Sequence, residues 1–156
     1  MRSRLIAAAV GCDYAALERL GLKGSTDFHA TSSSGAKAAR PAAPGKYWRA
    51  EEAKGHAPLR KLVALLHLPV ATGGVVCSNG CHANFYWPRA SQEFDDATPK
   101  ELATLRSLYG DALVSRAQES RRYGGMHLIG INDAGDWFYF AIEDGEGTPS
   151  APVPAT

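Results

Sequence analysis

Residues 126–142 read Met126-His127-Leu128-Ile129-Gly130-Ile131-Asn132-Asp133-Ala134-Gly135-Asp136-Trp137-Phe138-Tyr139-Phe140-Ala141-Ile142, and this stretch decides the fold. Two runs rich in β-branched and aromatic residues flank a short segment of small and Asx residues, which is the chemistry of a hairpin loop. Strands are predicted at 126–131 and 137–142. In the second, Trp137, Tyr139 and Ala141 alternate with Phe138, Phe140 and Ile142. Both faces are apolar, so one is expected under a helix and the other against something else.

Working upstream, Thr98 stands before Pro99 and three residues ahead of Glu101, a capping-box arrangement that starts a helix. Leu102, Leu105, Leu108, Tyr109 and Leu113 extend its apolar stripe, with a kink or break at Gly110 and an end before Gly124-Gly125. Val75-Val76-Cys77 and Ala83 to Trp87 read as two short strands around Ser78-Asn79-Gly80. Leu59 to Leu68 forms a helix between Pro58, suited to a first turn, and Pro69, which blocks continuation. Elements in the order helix, hairpin, helix, hairpin predict an α+β domain with a small antiparallel or mixed sheet packed by helices, and exclude a doubly wound parallel sheet.

Four segments follow: an N-terminal helix over 1–22, with Leu5, Ala9, Ala16, Leu17 and Leu20 as its stripe; a Ser/Ala/Pro-rich linker or long loop over 23–45; the α+β domain over 46–147; and an extended tail over 148–156. A length of 156 residues suits one core. No run approaches the ~18 apolar residues of a membrane span. The net charge of +1 conceals an asymmetry, because residues 1–61 hold 11 Lys and Arg against 5 Asp and Glu, and residues 62–156 hold 6 against 11. The basic half carries only Tyr14, Phe28, Tyr47 and Trp48 as aromatics, too few for the interleaved stacking surface of a nucleic-acid binder. No nucleic-acid partner is expected.

Three cysteines, Cys12, Cys77 and Cys81, do not make a disulfide scaffold, and reduced thiols in the cytosol are expected. Met1 to Cys12 has the basic start, apolar run and cysteine of a lipoprotein signal, but the run is short, and the amphipathic helix accounts for the same residues. Cys77-Ser78-Asn79-Gly80-Cys81-His82 could offer zinc three ligands, with His56, His67 or His127 as the fourth. The bland reading, thiols beside a turn, is preferred. No cofactor is expected, with zinc as the alternative. Neither glycine pair fits a phosphate cradle, and the acidic loop lacks EF-hand spacing.

The stretch Gly125 to Phe140, with its Ile-Gly segment, Asp/Gly turn, Gly-Asp pair and aromatic strand, resembles the central signature of the SUKH superfamily, which joins yeast cell-wall-assembly regulators to bacterial immunity proteins. Phe85-Tyr86-Trp87-Pro88 leading to Thr98-Pro99-Lys100-Glu101-Leu102 is similar to the strand, break and helix that precede that signature, so the resemblance spans about residues 83–147. It implies an α+β fold, no catalytic residues and a protein partner, often a toxin or nuclease domain. From the acidity of the C-terminal half, Asp133, Asp136, Asp144 and Glu146 are expected to meet a basic partner, with Trp137 and Tyr139 as aromatic anchors.

Overall fold

The structure is a computed structural model that describes residues 1–24, 43–77, 81–92 and 94–142. The chain is α+β. Among the described residues the helices are α1 (Arg2–Val10), α2 (Tyr14–Gly24), α3 (Pro44–Ala53), α4 (Pro58–Leu66), α5 (Pro99–Tyr109) and α6 (Asp111–Ser120). The strands are β1 (Ala71–Cys77), β2 (Cys81–Trp87), β3 (His127–Asn132) and β4 (Trp137–Ile142). They form one sheet in the order β1-β2-β3-β4, antiparallel at every junction. Of the two sheet types expected, the antiparallel one is realised, with α5 and α6 inserted between β2 and β3.

The single helix expected over 1–22 is two helices. Cys12 adopts a left-handed φ of 50°, and Asp13 Oδ1 accepts a hydrogen bond from the Ala16 amide at 2.8 Å, capping α2. A local Asx cap thus overrides a continuous apolar period. Both halves keep their stripe inward, since Leu5, Ala9, Leu17 and Leu20 all join the main core. Residues 2–10, which a lipoprotein-like signal would have removed, therefore supply core side chains, and Arg2 Nε donates to the Leu66 carbonyl at 2.7 Å.

The expected linker is shorter than 23–45. Residues 23–24 finish α2 and Pro44 and Gly45 open α3, while 25–42 lie outside the described residues. Glu18 Oε2 accepts from the Gly45 amide at 2.9 Å, so a carboxylate of α2 caps the start of α3. The helix α3 has no broad stripe to betray it. Its one fully buried large residue is Trp48, whose ring stacks on Trp137 at 5.4 Å and lies 6.0 Å from Phe140. Leu62, Leu65 and Leu66 of α4, Leu105 of α5 and Ile129 of β3 complete the same core. One core thus takes in residues on both sides of the expected boundary at residue 46.

The capping box at α5 is present: Thr98 Oγ1 accepts from the Glu101 amide, and Glu101 Oε2 accepts from the Thr98 amide at 2.9 Å. Glu101 is wholly buried and also takes the Arg89 guanidinium at 3.1 Å. Gly110, at φ 84°, ends α5 and opens α6.

Candidate functional site

The β3–β4 turn is closed by Asn132, whose Oδ1 accepts from the Asp136 amide at 2.7 Å. Asp136 is half-buried and holds the turn. Because Asn84 pairs with Asn132, the next turn residue, Asp133, falls beside the start of β2. Its amide donates to the Ala83 carbonyl at 2.9 Å, its Oδ2 accepts from the Ala83 amide at 3.2 Å, and its Oδ1 meets His82 Nδ1 at 2.9 Å. The Ala83 amide, and then His82, hold the Asp133 carboxyl below the usual carboxylate range. Asp133 is exposed and ionised at the end of the sheet. Asp144 and Glu146 lie outside the described residues.

Trp137 is not a surface anchor. It is 0% exposed, stacked on Trp48, with its indole Nε1 donating to the Tyr139 carbonyl at 2.9 Å. The reason is a bulge: the β3–β4 register shifts between Gly130 and Ile131, which pairs Trp137 with core-facing Ile131 and sets Phe138 on the opposite face. There Phe138 crosses Gly130 and meets Tyr86 edge-on at 6.0 Å. A Cβ on Gly130 would stand 2.6 Å from Phe138 Cζ, and one on Gly73 would run into the Tyr86 ring. Two glycines thus let two aromatic rings lie against the sheet. Tyr86, Phe138 and Tyr139 are half-buried and stand outside the main core cluster. Glycine inside a strand signals close approach, so Gly130 and Gly73 were the legible trace of this platform, which the alternation of aromatic residues alone did not locate.

Among the described residues, Cys81 and His82 at the start of β2 form no metal-binding group with His56, His67 or His127. Cys81 opens β2 and is disulfide-bonded, not the reduced thiol expected, while Cys12 is a free exposed thiol. A sulfur in a disulfide presents no thiolate to zinc. Cys77 faces Cys81 in the β1–β2 ladder. His56 pairs with Glu51 on α3, His67 caps the exposed end of α4, and His127 is on the helix-covered face of β3. Among the described residues, no three His, Cys, Asp or Glu side chains converge as a metal site, and no helix is long and apolar enough to cross a membrane.

A second polar cluster, which the sequence reading did not assemble, surrounds His127. Tyr109 Oη accepts from the His127 amide at 3.1 Å and lies 3.2 Å from His127 Nδ1, and Tyr123 donates to the His127 carbonyl at 2.6 Å. Burial pushes the His127 imidazole down to about 3, with Lys61 adding to the shift, and pushes the Tyr109 phenol upward. The neutral ring can therefore accept the Tyr109 proton at Nδ1. Lys61 of α4 points its ammonium over the Tyr109 ring, 5.1 Å from the centroid.

Against known proteins, no family model, no curated protein and no solved structure matches this chain.

Proposed function

We propose that the chain is a non-catalytic protein-binding module of the immunity type, which covers a basic surface of a toxin, such as a nuclease domain, with the aromatic face and hairpin end of its sheet. The observation that carries this reading is the Tyr86–Phe138 pair lying over Gly73 and Gly130, with ionised, exposed Asp133 on the turn that follows β3 in the same sheet. A half-buried aromatic pair on the sheet together with a fixed carboxylate matches the anchor-and-rim composition of protein interfaces. The excess of 11 acidic over 6 basic residues in 62–156 would steer a basic partner toward it. Tyr139, opposite Gly130 in the ladder, belongs to the same surface.

The test is co-expression with a toxin encoded by a neighbouring gene, followed by titration calorimetry of the purified pair. Viability should depend on this chain, and Asp133→Lys or Tyr86→Ser should weaken binding at least about tenfold, equivalent to about 1.4 kcal/mol, with the melting temperature checked in each variant. Absence of any protein partner, together with no protection from the toxin, would refute the reading.

A further inference from the structure

The helices α1 and α2 turn their faces to two different surroundings. Leu5 and Ala9 of α1 and Leu17 and Leu20 of α2 enter the core. The α1 positions 4, 7, 8 and 11, spaced as one helix face, instead line an open cleft of about 740 Å³ whose other wall is α2 and the turn before it. That volume falls within the range of small-molecule sites, about 300 to 1,000 Å³. The floor is alanine: Ala7, Ala8 and Ala16 line it, and none of the three is fully buried. Opposite charges stand at its two ends. Arg4 precedes Gly11 by seven residues and Arg19 follows Asp13 by six, which is about 10 Å and 9 Å along the helix axes, so both arginines line the end away from the turn. Both are exposed, and among the described residues neither is paired with a carboxylate. Asp13 lines the turn end, its Oδ1 accepting from the Ala16 amide at 2.8 Å.

We propose that this cleft binds an aliphatic monocarboxylate of medium chain length, its carboxylate taken by Arg4 and Arg19 and its alkyl chain laid over the alanine floor toward Gly11. Guanidinium groups present paired donors that match a carboxylate, and two unpaired positive charges lining one cleft favour an anion there. The alkyl chain removes its own surface and the alanine methyls from water. Length follows from the cleft, because about 10 Å from the arginines to the turn is the reach of about eight carbons. Direction follows from Asp13, since a ligand with a carboxylate at each end would bring like charges together at the turn. The alanines keep the cleft open, and a larger side chain at position 8 would occupy the space of the alkyl chain. The site uses no residue of the aromatic platform and needs no protein partner.

The experiment titrates the full isotope-labelled chain with sodium octanoate and follows its backbone amides by heteronuclear NMR, with 1-octanol and octanedioate in parallel. Octanoate should shift the amides of residues 4–20 saturably, with a Kd at or below about 1 mM for a ligand of this size. Octanol, which lacks the charge, and octanedioate, which meets Asp13, should each bind at least about fivefold more weakly. Arg4→Gln combined with Arg19→Gln should weaken octanoate at least about tenfold, whereas Arg60→Gln, exposed on α4, should leave it unchanged. Asp13→Asn keeps the helix cap and should remove the penalty on octanedioate. Melting curves confirm that each variant is folded. Octanol binding as tightly as octanoate, a double arginine variant that binds octanoate like the wild type, or no saturable shift among residues 4–20 would overturn the proposal.

Discussion

Replacing Glu101 by alanine strips an acceptor from three donors at once: the Thr98 amide at 2.9 Å, the Thr98 hydroxyl at 2.8 Å and the Arg89 guanidinium at 3.1 Å. Loss of the capping interaction costs about 1 kcal/mol. Loss of a charge-assisted hydrogen bond adds about 1.5 to 3 kcal/mol, and a guanidinium stranded without its buried partner can raise the total toward 5. Arg89 retains 28% side-chain exposure and a second acceptor, the Asp96 carbonyl at 2.7 Å, so water and that carbonyl relieve part of the penalty. The sum comes to about 3 kcal/mol. For a chain of this size each kcal/mol shifts the midpoint by about 3 to 4 °C, so Glu101→Ala should melt about 9 to 12 °C lower. Glu101→Gln, which keeps an acceptor but not the charge, should fall between. The assay is urea and thermal unfolding followed by far-UV circular dichroism, with Arg89→Met and the double variant closing a cycle whose coupling should exceed about 1 kcal/mol. A Glu101→Ala loss below about 1 kcal/mol, or additive single effects, would refute the claim that this carboxylate ties α5 to the segment after β2.

Trp137→Ala should cost about 4 kcal/mol in urea unfolding, because it opens a cavity under Trp48 and removes the ring stacking; a surface anchor would change stability little. His127 gives a signed pH dependence: its folded-state value of about 3 lies below its ordinary 6.5, so between these the unfolded chain binds more protons and stability falls as pH falls. The slope should reach at most about 1.4 kcal/mol per pH unit between pH 6 and 4, and His127→Phe should flatten it before Glu51 and Asp133, whose carboxyls lie below their ordinary range, lose their charge in more acid solution. Thiol titration of native protein without reductant should find about one reactive group per chain, Cys12, since Cys81 is oxidised. Metal analysis of the same oxidised protein should find no stoichiometric zinc.

The local chemistry of this chain was legible in its sequence wherever one residue type at one spacing fixes a backbone choice. Thr98, Pro99 and Glu101 start α5 as read, Gly110 separates α5 from α6, and Asn132 to Asp136 closes the hairpin. Periodicity assigned strands and helices to 59–68, 83–87 and 126–142 within a few residues, because their apolar positions repeat at the element's own period. It failed at Cys12 and Asp13, where a single cap divides one stripe between two helices, and at α3, where burial is concentrated in Trp48. What only the tertiary structure decided is which apolar face is inside. With both faces of β4 apolar, alternation gives two equivalent answers, and the bulge opposite Gly130 selects one by turning Trp137 onto Trp48 and Phe138 onto Tyr86. The Lys61–Tyr109–His127 cluster was likewise out of reach, because α4, α5 and β3 bring these residues together only once the core closes, and no local period records a contact made across the fold.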